Sequence, residues 1–174
     1  RGSIVAGIYP LRRDDFCHLL AVDFDEQGWQ RDCAALREVC DTFGIPTALE
    51  RSRSGNGAHA WFFFMDPIPA GLARKFGSAL LTCAMSRRHE LSFKSYDRFF
   101  PNQDTMPKGG FGNLIALPLQ KTARDQDNSV FVDENFRPYE DQWGFMVGIR
   151  RLSEEEIAGL IPRLSPGNEL GALR

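Results

Sequence analysis

The fold is decided by residues 16–25, which read Phe-Cys-His-Leu-Leu-Ala-Val-Asp-Phe-Asp. Residues 17–22 form too continuous an apolar run for a half-exposed edge strand, so we predict a strand over residues 16–24 at the centre of a sheet. Asp23 and Asp25 end this stretch, and side chains two positions apart on a strand point to the same face. A buried strand that ends in paired acids is typical of one that lines a cleft.

The pair Asp23 and Asp25 suits a divalent cation. Two like charges this close repel each other, and burial increases that cost. A cation between them reverses the sign of the energy, and hard carboxylate oxygens suit Mg²⁺ or Mn²⁺. An Asp-x-Asp pair alone is more often two solvated residues at a strand end, so the metal interpretation depends on what else the chain brings to the cleft.

Downstream of this strand, the hydrophobic period changes to that of an amphipathic helix over residues 29–43. Gly44 ends the helix and Pro46 prevents its continuation. Strands over residues 47–51 and 58–65, separated by a turn, complete a β-α-β-turn-β order. The apolar stripe of the helix consists of Trp29, Cys33, Leu36, Cys40 and Phe43.

The remainder of the chain predicts a second helix, further strands and a last helix. Strands are predicted over residues 92–100, 113–117 and 130–132. A capping box at residues 153–156 predicts a helix over residues 154–160. Together these elements predict an α+β fold in which helices flank a mixed or antiparallel central sheet. The buried stripe of the second helix consists of Leu72, Phe76, Leu80 and Cys83.

Composition places the chain among ordinary globular proteins. Its 174 residues predict a single domain, with residues 150–174 as a C-terminal helical appendage, and we expect this domain to be excised from a larger multidomain protein. Hydrophobic residues make up 43% and charged residues 25%, which excludes disorder for most of the chain. The four cysteines have no Cys-x-x-Cys spacing, so we predict that they are reduced and mostly buried in a cytoplasmic protein.

Charge and hydropathy argue against two classes of partner. Lys and Arg number 21 and Asp and Glu number 23, and the net charge of -2 does not fit a protein that coats nucleic acid through bulk positive charge. A local basic groove remains compatible with this balance. The longest fully apolar run, residues 60–65, is far too short to span a bilayer, so we expect no membrane partner.

The turn at residues 52–57 reads Ser-Arg-Ser-Gly-Asn-Gly and suits a phosphate chain. Its two glycines let backbone amides turn inward as an anion-binding concavity, and Ser54 can donate a hydroxyl. His59 begins the next strand, where its ring can face whatever the turn holds, and Arg53 adds positive charge. The alternative is a polar hairpin with a structural histidine, which a Gly/Ser turn alone would favour.

A third segment, residues 96–118, offers two more acids, Asp97 and Asp104, within a Gly- and Pro-rich stretch. By itself this segment is typical of a surface loop with a salt bridge to a helix.

In their order along the chain, these segments resemble the archaeo-eukaryotic primase superfamily. Asp23 and Asp25 resemble its first motif, the metal-binding acid pair. Residues 54–61, Ser-Gly-Asn-Gly-Ala-His-Ala-Trp, look like its second motif, in which a Ser and a His bind the phosphates of the incoming nucleotide. Residues 99–103 and 112–120 look most like the primase-polymerase branch found in conflict systems and beside CRISPR loci.

The resemblance, which extends over residues 8–143, implies an RRM-like primase-polymerase core that transfers nucleotides to a primer 3′-hydroxyl on a template, with de novo priming left open. It implies two Mn²⁺ or Mg²⁺ ions, held by the paired acids and a third acid. Asp97 is preferred as the third because a strand holds it more firmly than a loop, and Asp104 is the alternative. The implied substrates are dNTPs or NTPs with a primer-template or single-stranded DNA. The implied context is a monomeric domain fused to helicase, nuclease or CRISPR-related parts.

The resemblance also implies which residues hold the substrates. Nucleotide phosphates would be held by Arg53, Ser54, Gly55, Asn56, Gly57 and His59. Template contacts would come from Arg98, Lys108, Lys121 and Arg124. Two alternatives stay open: a catalytically inert module that binds nucleotide or nucleic acid, and a glycosyltransferase whose Asp-x-Asp pair binds the metal of a nucleotide sugar. The histidine after the Gly/Ser turn speaks against the second.

Overall fold

A computed structural model describes residues 4–25, 27–88 and 94–165 of the chain. All strand pairs in this part of the chain are antiparallel, which confirms the predicted α+β class. The strands are β1 (Gly7–Ile8), β2 (Phe16–Asp25), β3 (Ala48–Arg51), β4 (Gly57–Pro69), β5 (Tyr96–Phe100), β6 (Ile115–Ala116) and β7 (Val130–Val132). The helices are α1 (Trp29–Phe43), α2 (Ala70–Arg87), α3 (Lys121–Arg124), α4 (Gln142–Gly148) and α5 (Glu154–Leu164).

The main sheet has five strands in the order β5-β2-β4-β3-β7, and β1 pairs with β6 in a small second sheet. The prediction that β2 lies inside the sheet and not at its edge is confirmed, since β4 and β5 flank it, although the middle strand is β4. Ala21 and Val22 are fully buried for this reason. The continuous apolar run of β2 therefore reflects packing on both faces of the sheet.

The two faces of β2 pack against different material. Leu20, Val22 and Phe24 belong to the larger core cluster, which they share with α1, α2 and α5. Leu19 and Ala21 belong to a smaller cluster on the opposite face. Because side chains alternate along a strand, Asp23 and Asp25 continue the face of Leu19 and Ala21, away from α1, α2 and α5.

Several element boundaries differ from the sequence prediction. Strand β4 continues past residue 65 to Pro69, because its last residues pair with Phe16 and Cys17 beyond a register shift in β2. Strand β5 begins at Tyr96, and residues 92 and 93 of the predicted strand lie outside the described part of the chain. Helices α3 and α4 were not predicted from the sequence, and α4 has no buried residue that would give it an apolar stripe.

The last helix confirms its predicted capping box. The Ser153 Oγ accepts a hydrogen bond from the Glu156 amide at 3.1 Å, and the Glu156 carboxylate accepts one from the Ser153 amide at 2.8 Å. Helix α5 extends to Leu164 and buries that residue in the same core cluster as α2. The four cysteines are free and buried, as predicted. Among the described residues, no helix has the length and apolar character needed to cross a membrane.

Candidate active site

A row of four polar side chains crosses the main sheet. Arg98 of β5 lies opposite Asp23 of β2, Asp23 lies opposite His59 of β4, and His59 lies opposite Glu50 of β3. Side chains that face each other across antiparallel strands are direct neighbours, with Cβ atoms about 5 Å apart. This row is part of the candidate site, which lies on the sheet face opposite α1, α2 and α5.

Three carboxylates gather at one end of this row. Asp23, Asp25 and Asp97 each have an oxygen within 4.8 Å of the others, and they form the only such group of potential metal ligands in the described residues. Asp23 is buried, whereas Asp25 and Asp97 are exposed. Burial, then the charges of Asp23 and Asp97, raise the pKa of Asp25. Such a crowded set of hard oxygen donors fits Mg²⁺ or Mn²⁺.

A β-bulge turns Asp97 towards the other two acids. Asp23 pairs with Arg98, but the next residue, Phe24, pairs with Tyr96, so Asp97 is the extra residue of β5. In a regular strand Tyr96 and Phe99 would point to opposite faces. Here both pack on the helix side, with ring centroids 5.2 Å apart. The bulge therefore shifts the alternation by one residue and places Asp97 beside Asp23, a common use of bulges near functional sites.

A glycine gives Asp25 the space that it occupies. Gly57 lies opposite Asp25 at the start of β4. A Cβ on Gly57 would stand 2.6 Å from the Asp25 Oδ1 and would also collide with the Phe24 carbonyl oxygen. The glycine at this position thus permits the close approach of the hairpin and the acid cluster.

The turn between β3 and β4 is closed by its own hydrogen bonds. The Ser52 amide donates to the Gly57 carbonyl at 2.9 Å, and the Gly55 amide donates to the Ser52 carbonyl at 3.0 Å. The Ser54 Oγ accepts from the Asn56 amide at 3.2 Å. Gly55 has a φ of 79°, which favours glycine. Ser54 therefore shapes the turn, and Arg53 on the same turn is exposed.

The turn borders two different grooves. Asn56 and Asp25 line a cleft of about 610 Å³ together with Gly28 and Trp29 at the start of α1. Arg53 lines a second groove, which it shares with Lys121 of α3. Arg51 donates to the carbonyl oxygens of Asp127 and Phe136, so its charge anchors the neighbouring loops instead of facing either groove.

His59 connects the acid cluster to a buried glutamate. Its Nε2 lies 3.4 Å from the Asp23 Oδ1, and its Nδ1 lies 3.0 Å from the Glu50 Oε2. Burial lowers the pKa of His59. The hydrogen bonds and charges of Asp23 and Glu50 outweigh this effect, and the net result is a pKa raised to about 9. Sequence reasoning missed Glu50, although a lone acid after Ala48 and Leu49 in a predicted strand was a signal that could have found it.

The other predicted residues lie around this centre at several places. Asp104 forms an ion pair with Arg74, beside the first turn of α2. Arg98 is exposed and its Nε lies 2.6 Å from the Asp97 carboxylate. Lys108 is exposed in the loop after β5, while Lys121 and Arg124 belong to α3. The structure thus groups Asp97 and Arg98 with the central acids and places Asp104 in a separate ion pair.

A comparison of the sequence with models of known protein families gives a match that extends over most of the chain. A family model described as the archaeo-eukaryotic primase domain of the TOTE conflict system matches residues 1–160. The matched segment contains every strand and all helices up to most of α5. A search of curated proteins finds no match to this chain.

Proposed function

This chain belongs to the family of archaeo-eukaryotic primase domains of TOTE conflict systems, and from that premise we propose that it is a DNA primase-polymerase that adds nucleotides to a primer 3′-hydroxyl on a template. The observation that carries the proposal is the convergence of three carboxylates within 4.8 Å of one another, beside a partly buried histidine and a Gly/Ser turn. This is an arrangement suited to a substrate that brings a triphosphate and divalent cations together.

The cation set would be held by Asp23, Asp25 and Asp97. Burial, followed by repulsion from Asp23 and Asp97, raises the pKa of Asp25, and divalent cations would relieve that repulsion, which supports the fit. When bound, two Mn²⁺ or Mg²⁺ ions supply the activation of the primer hydroxyl and the neutralisation of the leaving pyrophosphate. The protein's own task is then to hold the reacting groups in place.

Phosphate binding would fall to the turn and the histidine. The exposed residue Asn56 lines the cleft at the start of α1, where the amides of the first helical turn favour an anion. His59 Nε2 can donate to a phosphate oxygen bound next to Asp23. Gly55 and Gly57 let the backbone approach closely, Ser54 holds the Asn56 amide, and Arg53 adds charge at the outer side of the turn.

Nucleic acid would be held by dispersed cations. Arg98 stands next to the acid cluster, where a primer terminus would lie, whereas Lys121 and Arg124 stand beyond the turn on α3. With a net charge of -2, the domain would bind a primer-template or single-stranded DNA weakly by itself. Fusion to helicase, nuclease or CRISPR-related parts, a monomeric state and a cytoplasmic location stay predictions.

Family membership favours nucleotidyl transfer over the glycosyltransferase alternative. Primer extension distinguishes a polymerase from a module that binds nucleotide or nucleic acid without catalysis. Primer extension with labelled dNTPs or NTPs and Mn²⁺ should be abolished in Asp23→Ala/Asp25→Ala, while circular dichroism shows a native fold. Asp104→Ala is the matched control, because it removes an acid outside the cluster, and it should extend the primer as the wild type does. Extension by the double variant at the wild-type rate would contradict the proposal.

A further inference from the structure

Glu50 is a buried acid that the proposed reaction does not use. It is 2% exposed, and a buried carboxylate is costly unless donors surround it. Three side chains supply them. Trp61 Nε1 lies 2.8 Å and His59 Nδ1 lies 3.0 Å from the Oε2 atom, and Ser129 Oγ lies 3.3 Å from Oε1. The carboxylate is thus fully engaged, and one of its partners reaches the acid cluster.

The shared oxygen fixes the proton on the histidine ring. The oxygens of an ionised Glu50 carboxylate can only accept, and the indole nitrogen of Trp61 can only donate, so Oε2 accepts from Trp61. The His59 Nδ1, which contacts the same oxygen, must then donate to it and must carry a hydrogen. The bond made by one ring nitrogen decides the role of the other. Nε2 is consequently the nitrogen that faces Asp23.

The orientation of the ring is fixed as well. Glu50 lies opposite His59, and His59 lies opposite Asp23, so three neighbouring strands hold the three side chains in line. Trp61 packs edge-on against the His59 ring, with centroids 5.8 Å apart and an interplanar angle of 77°. The ring therefore has a hydrogen bond at one end and an aromatic neighbour at its side.

We propose that Glu50 is a positioning residue that keeps a proton on Nδ1 and fixes the orientation of His59, so that Nε2 is directed at the nucleotide phosphates beside Asp23, to which the protonated ring can donate. The effect on nucleotide binding rests on the proposed function, whereas the effect on the ring proton does not. Loss of the carboxylate behind a metal-ligating histidine typically costs about 10–100-fold in affinity or activity, and we expect an effect of the same order for a phosphate-binding histidine.

The first test separates positioning from stability through kinetics. Glu50→Leu removes the acceptor and should raise the KM for nucleotide by roughly 10–100-fold, whereas Glu50→Gln keeps an oxygen for Trp61 and His59 and should restore most of the loss. Leu49→Ala is the matched control, because it weakens the same strand on its helix side, and it should lower thermal stability with the KM unchanged. The double variant Glu50→Leu/His59→Ala should be no worse than His59→Ala alone, because both changes remove one interaction.

The second test reads the ring directly, in the full chain without substrate. Long-range ¹H–¹⁵N NMR, with the His59 signals assigned by comparison with His59→Ala, should show a proton on Nδ1 throughout the titration of the wild-type ring. If Nδ1 carries no proton in the neutral ring, or if a folded Glu50→Leu variant keeps the wild-type KM, the inference is overturned. If wild-type protein extends no primer, the proposed function fails, and the NMR result still decides what Glu50 does to His59. If Glu50→Leu does not fold, the tautomer and the Gln variant decide.

Discussion

Gly57 lies directly opposite Asp25 across the β2–β4 ladder, at a place where a Cβ would stand 2.6 Å from the aspartate Oδ1. Gly57→Ala should therefore push Asp25 away from Asp23 and Asp97 and weaken Mn²⁺ binding by about tenfold or more. Isothermal titration calorimetry with Mn²⁺ measures this. Gly159→Ala is the matched control, since nothing lies within 4 Å of a Cβ there. Equal Mn²⁺ affinity in the two variants would show that the close approach does not matter.

The second prediction concerns the segment that leads into the bulge. The Ser95 Oγ donates to the buried Asp32 carboxylate at 2.5 Å, and the Ser95 carbonyl accepts from the Asp25 amide at 2.7 Å. Ser95→Ala should lower the free energy of unfolding by about 1–3 kcal/mol, because Asp32 loses a donor in the interior. It should also weaken Mn²⁺ binding, because Asp97 lies two residues further on.

Urea denaturation and a Mn²⁺ titration measure the two effects of Ser95→Ala. Ser86→Ala serves as the control, since the Ser86 hydroxyl donates to the Cys83 carbonyl of its own helix and to no other group among the described residues. A Ser95→Ala variant that unfolds earlier yet binds Mn²⁺ normally would mean that Ser95 supports the fold without positioning Asp97.

The local elements could be predicted from the sequence because their signals are local. The period of residues 29–43 predicted α1 with both ends correct, and the capping box at residues 153–156 predicted the start of α5. The continuous apolar run of β2 predicted that it is an interior strand of the sheet, since burial on both faces leaves that pattern.

What the sequence did not predict depends on register between strands. The bulge at Asp97 is a property of how β5 pairs with β2, and no pattern within residues 96–100 reveals it. The choice between Asp97 and Asp104 could only be argued from strand against loop. Glu50 escaped notice because its importance comes from its neighbours on β4, and cross-strand neighbours follow from register.

The third prediction is a pH dependence of stability in the metal-free protein. The folded-state pKa of His59 is raised to about 9, above an unfolded value of about 6.5. A raised pKa stabilises the fold fully below the unfolded value, and this contribution is lost as the pH rises from about 6.5 through about 9. The loss should be of the order of 3 kcal/mol at most.

Urea denaturation in EDTA across this pH range measures the His59 contribution. His59→Gln should flatten the decline in stability, whereas His18→Gln, which changes an exposed histidine beside Arg12, should leave it in place. A decline that persists unchanged in His59→Gln would assign it to another group.

The last prediction concerns nucleic-acid binding, for which the near-neutral net charge sets a limit. Four cations are the candidate phosphate contacts: Arg98, Lys108, Lys121 and Arg124. If all four neutralise phosphates of a single strand, log K should fall with log salt with a slope near −3, since each contact contributes about −0.7. Fluorescence anisotropy with labelled single-stranded DNA measures the slope.

Lys121→Ala should reduce the magnitude of this slope by about 0.7 for every DNA sequence. Lys75→Ala removes an exposed lysine of α2, on the side of the sheet away from the acids, and should leave the slope unchanged. If Lys121→Ala and Lys75→Ala give the same slope, α3 is not part of the nucleic-acid surface, and Arg98 and Lys108 near β5 become the side to examine.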